Sequence, residues 1–193
     1  MKILLHACCG PCTIYPLKIL RSKGYEVTAY FFNPNIHPFR EFERRIEAME
    51  QVAKEFNLPV IWDGEYGLYR WFSAIGTDFD PKVRCKRCYT LRIENTAKVA
   101  AQHKFDAFTS TLLYSKYQDH QGICNEAKEA AQKYKVEFYY YDFREGWKEG
   151  IEASISMGIY RQPYCGCIFS EYERYIKRAK RLQQRLDKNS LGG

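Results

Sequence analysis

The sequence predicts an α/β fold: a single domain with a mainly parallel sheet of about five strands flanked by helices. Three observations carry that expectation. Short runs of β-branched, aliphatic and aromatic residues alternate with amphipathic stretches long enough to be crossover helices. The chain has 193 residues, 46% of them hydrophobic, which supplies one full core. No internal repeat, linker or shift of composition divides it, so residues 1–193 read as one domain. A charged fraction of 27% and an aromatic fraction of 16% exclude a disordered or low-complexity chain.

The elements follow in chain order. Ile3, Leu4 and Leu5 give a short buried-strand signal that runs into Cys8-Cys9-Gly10-Pro11-Cys12. Pro11 suits the first turn of a helix, where its missing N–H costs nothing, and Ile14, Leu17 and Leu20 mark that helix's apolar face. Gly24 ends it, and residues 25–32 read as a second strand. In Asn33-Pro34-Asn35-Ile36-His37-Pro38 two prolines fix the backbone and remove donors, which demands a shaped loop. Phe42, Ile46, Met49, Ala53 and Phe56 then advance in helical steps across residues 39–56.

Residues 59–62 give a third strand. Residues 63–84, broken by Gly64, Gly67, Gly76 and Pro81, are expected to be irregular. A helix carrying Leu91, Ile93, Ala97 and Ala100 is expected after Cys88, with a fourth strand over 105–113, a helix over 125–134 and a fifth strand over 137–141. A plan of this kind is Rossmann-like, akin to nucleotide-hydrolase (HUP-like) domains, and binds its ligand beyond the C-terminal ends of the strands. The loops after strands one, two and four therefore belong on one rim.

The charge is uneven. Thirty Lys and Arg against 23 Asp and Glu leave a formal +7. A final helix over 168–188 carries an apolar stripe of Phe169, Tyr172, Ile176, Ala179, Leu182 and Leu186 and a basic stripe of Arg174, Lys177, Arg178, Arg181 and Arg185. Two residues separate the stripes, ~200° around a helix, so the apolar one is expected on the core and the basic one in solvent. There it serves either as a solvated face or as a phosphate-contacting surface for nucleic acid. Residues 189–193 are expected to be a flexible tail. The apolar run before His6 is too short for an export signal and no run is long enough to span a membrane, so a soluble, cytoplasmic protein with no membrane partner is expected.

The unusual number is eight cysteines. They fall as Cys8, Cys9 and Cys12; Cys85 and Cys88; Cys124 alone; and Cys165 and Cys167. In a reducing compartment clustered thiols bind metal or do redox chemistry more often than they form bridges. Consecutive Cα atoms are ~3.8 Å apart, so Cys8 and Cys9 make a poor disulfide pair. Cys-x-x-Cys at 85 and 88 brings two sulfurs to one centre beside basic Arg84, Lys86 and Arg87, and Gly166 lets the backbone bend between Cys165 and Cys167. Four thiolates satisfy a structural zinc or an iron–sulfur cluster, and the surplus points to an extra metal or a reactive thiol. Cys124 reads as a small buried hydrophobe.

Five strings, in order, resemble the QueH family of epoxyqueuosine reductases. They are Leu4-Leu5-His6-Ala7-Cys8-Cys9-Gly10-Pro11-Cys12; residues 33–38 with Arg44-Arg45; Arg84-Cys85 to Cys88; Phe108-Thr109-Ser110-Thr111-Leu112; and Tyr160-Arg161-Gln162-Pro163-Tyr164-Cys165-Gly166-Cys167. The likeness runs from Ile3 to about Tyr175. It implies the last step of queuosine synthesis, in which the epoxide of epoxyqueuosine at the tRNA wobble position becomes an alkene. It also implies a four-iron four-sulfur (4Fe-4S) cluster, a nearby mononuclear iron, no cobalamin, and an external low-potential electron donor. Cluster and metal ligands are then expected among Cys8, Cys9, Cys85, Cys88, Cys165 and Cys167, with Cys12 a further motif member beside them.

Other candidates come from chemistry. Asp119 and Asp142 follow segments near the rim and can complete a metal's shell, or merely cap and pair. His37 and His6 titrate near neutrality and can supply protons, or serve as hydrogen-bonded struts. Tyr114, Tyr117, Tyr160 and Tyr164 can stack on a splayed anticodon base, and Arg84, Arg87, Arg92 and Arg161 can contact phosphate or base. Two other classes compete: an ATP-using tRNA thiolation enzyme, which needs a Gly-rich phosphate loop where Cys8 to Cys12 stand, and a zinc-stabilised RNA-binding module without activity.

Overall fold

The computed structural model describes residues 1–190, so most of the tail expected at 189–193 lies outside the described residues. Five strands, β1 (Lys2–His6), β2 (Glu26–Phe32), β3 (Val60–Asp63), β4 (Ala107–Ser110) and β5 (Glu137–Phe138), form one sheet in the order β3-β2-β1-β4-β5. Every pairing is parallel. The flanking helices are α1 (Gly10–Ser22), α2 (Phe39–Glu55), α3 (Leu68–Ile75), α4 (Pro81–Gln102), α5 (His120–Tyr134), α6 (Trp147–Ser156) and α7 (Ile168–Ser190). Because both faces are covered, β1 and β2 read as near-continuous apolar runs, with Leu4, Leu5 and Phe31 fully buried. The strand order reverses between β1 and β4, and a crevice opens there at the strands' C-terminal ends.

Several boundaries differ from the sequence reading, each for a local reason. The fourth strand stops at Ser110, whose hydroxyl accepts from Leu112 N at 3.1 Å and turns residues 111–114 into a 3-10 helix. The fifth strand has two residues, since it meets only the end of short β4. Residues 68–75, expected to be irregular, form α3: Gly67 and Gly76 are its caps, and Trp71 and Ile75 bury one face. α4 begins at Pro81, N-capped by Asp80, so Cys85 and Cys88 lie inside a helix rather than before one. Asp119 likewise starts α5 earlier than Asn125, and α6 was not anticipated.

The largest departure is α7. Only its first turns touch the domain; from Lys177 to Asn189 every residue is exposed, including Leu182 and Leu186 of the stripe expected to face the core.

α1 and α2 pack closely enough to explain a motif glycine. A Cβ on Gly10 would lie 2.3 Å from the Ala48 carbonyl oxygen, a backbone atom that cannot swing away. Gly10→Ala should therefore destabilise the chain by about 1–3 kcal/mol, although alanine ordinarily favours a helix by about 1 kcal/mol over glycine. Urea denaturation measures this, and a variant more stable than the parent would show that α1 and α2 do not meet so tightly.

Candidate metal centre

His6, the last residue of β1, is fully buried and joins three strand ends. Its ring nitrogens lie 2.9 Å from Ser110 Oγ and 3.1 Å from the Phe32 carbonyl. Burial first, then the Arg92 charge, holds its pKa down to about 3, so the ring is a neutral strut. Just beyond it, Asn33 Nδ2 donates to the Ala7 carbonyl at 2.9 Å and the Cys8 amide donates to Thr111 Oγ1 at 3.0 Å. These bonds tie the loops after β1, β2 and β4 together.

Cys9 is the N-cap of α1 and Cys12 lies in its first turn, which carries no acidic residue. A helix N-terminus has partial positive charge and favours thiolates. The sulfurs of Cys8, Cys9 and Cys12 all lie within 4.8 Å of one another. Cys8 is held well below the ordinary thiol range by hydrogen bonds from Cys12 and Cys9, aided by Arg92 and Thr111. The thiols of Cys9 and Cys12 are pushed well above it, Cys9 chiefly by burial and Cys12 chiefly by holding the proton it donates to Cys8. The triad thus gives up one proton readily and keeps the others.

A second set stands opposite. Cys85, Cys88 and Arg92 follow one another by three and four residues and share a face of α4. Cys88 and Cys167 pack together with Trp71 and Ile75. Cys165 and Cys167 reach this group from a loop that bends at Gly166, whose φ of +146° suits glycine and whose Cβ would meet Asn35 Nδ2 at 3.0 Å. Burial, with the Cys165 charge next, raises Cys85 to about 12; burial, with Cys167 next, raises Cys165 to about 11, although its surface opens to the crevice. These mutual influences place Cys85, Cys88, Cys165 and Cys167 in one electrostatic group. The Trp71 indole N–H has no oxygen or nitrogen partner and lies beside Cys88, which it favours as thiolate.

Two arginines fix the sets. Arg45, 1% exposed, donates to Glu41 Oε1 at 2.8 Å, to the Cys165 carbonyl at 2.8 Å and to the Tyr164 carbonyl at 2.9 Å. It pairs with Glu41 and holds the cysteine loop, and its charge also acts on Cys9 and Cys8. Arg92, 2% exposed, has no carboxylate within ion-pairing distance among the described residues. It donates to Asn33 Oδ1 at 2.9 Å, its Nε is unpartnered, and its charge acts on Cys8, Cys88 and Cys165. A cation buried this way needs negative charge nearby, and the thiols are what it faces. Thiols from three segments, Cys8, Cys88 and Cys165, facing this guanidinium fit an anionic thiolate–metal centre.

The crevice beside these groups is a cavity of about 640 Å³, lined by Cys8, Cys12, Arg92 and Cys165 on one side and by Tyr114, Tyr117, Trp147 and Arg161 on others. That volume suits a nucleoside-sized ligand. Gln162 Nε2 donates to Cys9 Sγ at 2.9 Å and to Cys12 Sγ at 3.2 Å, and Gln118 Nε2 donates to Cys165 Sγ at 3.1 Å. Both glutamines escaped the sequence reading, although Gln162 lies inside a quoted motif. Arg45 and Arg92 are both named from the sequence, the first in a motif and the second as a phosphate or base contact, and the structure places both beside the sulfurs.

The other sequence candidates stand as follows. Asp119 caps α5, accepting from Gly122 N at 3.0 Å, and follows Gln118. Asp142 caps a 3-10 turn and pairs with Arg144 at 2.6 Å; the Arg144 hydrogen bond holds its carboxyl down to about 2. Cys124 feels Asp142 and Arg144 and is apart from the other thiols. The His37 ring packs among Tyr66, Trp71 and Phe72 with neither nitrogen hydrogen-bonded, and burial lowers it to about 4. Its backbone does more, since its N–H donates to the Gly166 carbonyl at 2.8 Å and its carbonyl accepts from Tyr164 Oη at 2.7 Å. Arg84 pairs with Glu173 and Arg87 donates to the Ile75 carbonyl at 2.6 Å, so both hold structure.

Comparison with known proteins bears on the site. The family model described as "Epoxyqueuosine reductase QueH" matches residues 3–173. A protein of that name from Dehalococcoides mccartyi is 38% identical over 176 residues, covering 91% of this chain and 96% of its own. One from Thermotoga maritima is 37% identical over 191 residues, covering 95% and 97%. Among solved structures, a Streptomyces sp. SF2575 glycosyltransferase aligns at TM-score 0.36 and 14% identity over 84% of this chain and 48% of its own, too little to bear on fold or function.

Because Cys9 and Cys12 keep their protons at neutral pH while Cys8 is already biased to thiolate, binding of one divalent ion at the triad should release about two protons. The apparent affinity for zinc or cobalt should then strengthen by about two log units per pH unit as pH rises from 6 to 8. Anaerobic titration of metal-free protein reads this slope, and a slope near zero would contradict the arrangement.

Proposed function

The chain belongs to the epoxyqueuosine reductase QueH family, and from that premise we propose how its thiols divide the work. The reaction is the last step of queuosine biosynthesis in tRNA: the epoxide oxygen leaves as water and an alkene remains, which takes two electrons and two protons. No amino-acid side chain supplies low-potential electrons, so the reductant enters through a metal centre.

In our reading Cys85, Cys88, Cys165 and Cys167 hold a 4Fe-4S cluster, and Cys8, Cys9 and Cys12 hold a mononuclear iron facing the cavity. When bound, the cluster supplies low-potential electrons and the iron an electrophilic position for the epoxide oxygen. An external low-potential donor feeds the centre, and cobalamin takes no part. Of the two carboxylates, Asp119 is put forward as a further metal ligand, because Gln118 next to it touches Cys165 of the proposed cluster set. Asp142 and His37, once candidates for chemistry, are assigned to structure.

The chain's own groups do the rest. Trp147 and Tyr117, whose rings meet edge to face at 5.6 Å, line the cavity with apolar surface on which a splayed base can lie. Arg161 lies on the same wall for polar recognition of the base or its phosphate. Gln162 and Gln118 orient the sulfurs they touch and stabilise them as thiolates. Arg92 holds negative charge in place by standing beside it without a carboxylate of its own. We place the protein in the cytoplasm with its tRNA substrate; among the described residues no helix is long and apolar enough to cross a membrane.

The observation that carries this reading is the Cys8, Cys9 and Cys12 triad, its sulfurs within 4.8 Å of one another, facing the buried Arg92 guanidinium. Protein purified without oxygen should be brown, with about four or more iron and a similar amount of sulfide per chain. Cys85→Ser and Cys167→Ser should each lower reduction of epoxyqueuosine-containing tRNA by at least about 100-fold, and Cys124→Ser should leave it near the parent value. A colourless protein that carries zinc alone and still turns over would sink the assignment.

A further inference from the structure

The projecting end of α7 is the largest feature that the reductase chemistry leaves unused. We propose that it is an arm that binds the phosphate backbone of the tRNA next to the nucleotide seated in the thiol cavity, an inference resting on the reading of tRNA as substrate.

Four observations meet here. Residues 177–189 are exposed throughout, so this stretch stabilises little of the fold. It holds Lys177, Arg178, Lys180, Arg181, Arg185 and Lys188 against Asp187, a net +5 out of the chain's +7. Arg178, Arg181 and Arg185 are spaced by three and four residues and line one shallow groove with Tyr175, Ala179, Leu182 and, at its near end, a single carboxylate, Glu171. Neighbouring side chains on such a face have Cβ atoms about 5–6 Å apart, and guanidiniums bind phosphate through paired N–H donors. Finally, Glu173 and Arg174 of the same helix line the thiol cavity, so α7 starts at the reaction site and leads away from it. From Arg174 to Lys188 it extends ~21 Å, enough to follow several nucleotides.

The geometry also bears on the competing occupant. Tyr172, Tyr175, Ala179, Leu182 and Leu186 repeat in alternating steps of three and four, the spacing of a seam that zips to a second helix. A second copy would bring the same arginines along the seam, and like charges at such flanks oppose pairing. A polyanion meets no such penalty and gains by releasing its counterions.

The test uses the full chain and labelled tRNA. Arg178→Gln, Arg181→Gln and Arg185→Gln combined should weaken tRNA binding by about tenfold at 100 mM salt, and should flatten the slope of log affinity against log salt by about two. In turnover the variant should raise KM for epoxyqueuosine-containing tRNA with kcat within about twofold of the parent. Unchanged affinity and slope would overturn the proposal. So would a dimer in sedimentation that Leu186→Ser abolishes, if the arginine variant binds tRNA normally. If the parent chain binds tRNA with a steep, arginine-dependent slope but does not reduce it, the arm stands and the assignment of function falls.

Discussion

Arg92 brings a full positive charge into a place 2% exposed, with no ion-pairing carboxylate among the described residues. Solvation in water is lost there, and hydrogen bonds to Asn33 and to the Cys88 sulfur do not replace it. The charge is tolerable only if negative charge gathers round it. Cys8 from one loop, Cys88 from the same helix and Cys165 from a third segment all feel this guanidinium, so the cation and the sulfurs explain each other. An apolar residue at 92 would give an easier core, and its absence marks a site built for anionic occupancy.

The rest of the fold holds the sulfurs to that centre. The sheet delivers Cys8 at the crevice where strand order reverses, and His6 fastens the three strand ends that form the rim. Arg45 pairs with Glu41, gives its other donors to the carbonyls of Tyr164 and Cys165, and faces Cys9. The two buried arginines thus divide the sulfurs between them. Arg45 clamps the cysteine loop while its charge acts on Cys9 and Cys8, and Arg92, with no ion-pair partner among the described residues, acts on Cys8, Cys88 and Cys165.

Polar groups that a sequence offers as catalysts divide in the same way. Asp119, Asp142 and His6 each satisfy a backbone or side-chain partner, and their local structure depends on it. The groups nearest the sulfurs are amides, Gln118 and Gln162. An amide donates a proton to a thiolate without adding charge, which positions a sulfur while leaving its electrostatics to Arg92.

The sequence by itself determined the parallel α/β plan, the rim that would hold the site, the separation of seven cysteines from Cys124, and the family. These are legible because alternation, helical spacing and turn residues act over a few neighbours, and because clustered thiols have few other uses. It misjudged α3 and the start of α4 because glycines and a proline that look like breaks are caps. It sent the apolar stripe of α7 to the core, since periodicity reports a face and not whether anything lies against it. Only the tertiary structure decided that Cys85 and Cys88 face Cys165 and Cys167, that Arg92 has no ion-pairing carboxylate among the described residues, and that two glutamines reach the sulfurs. Each of these depends on segments far apart in the chain, which no local pattern brings together.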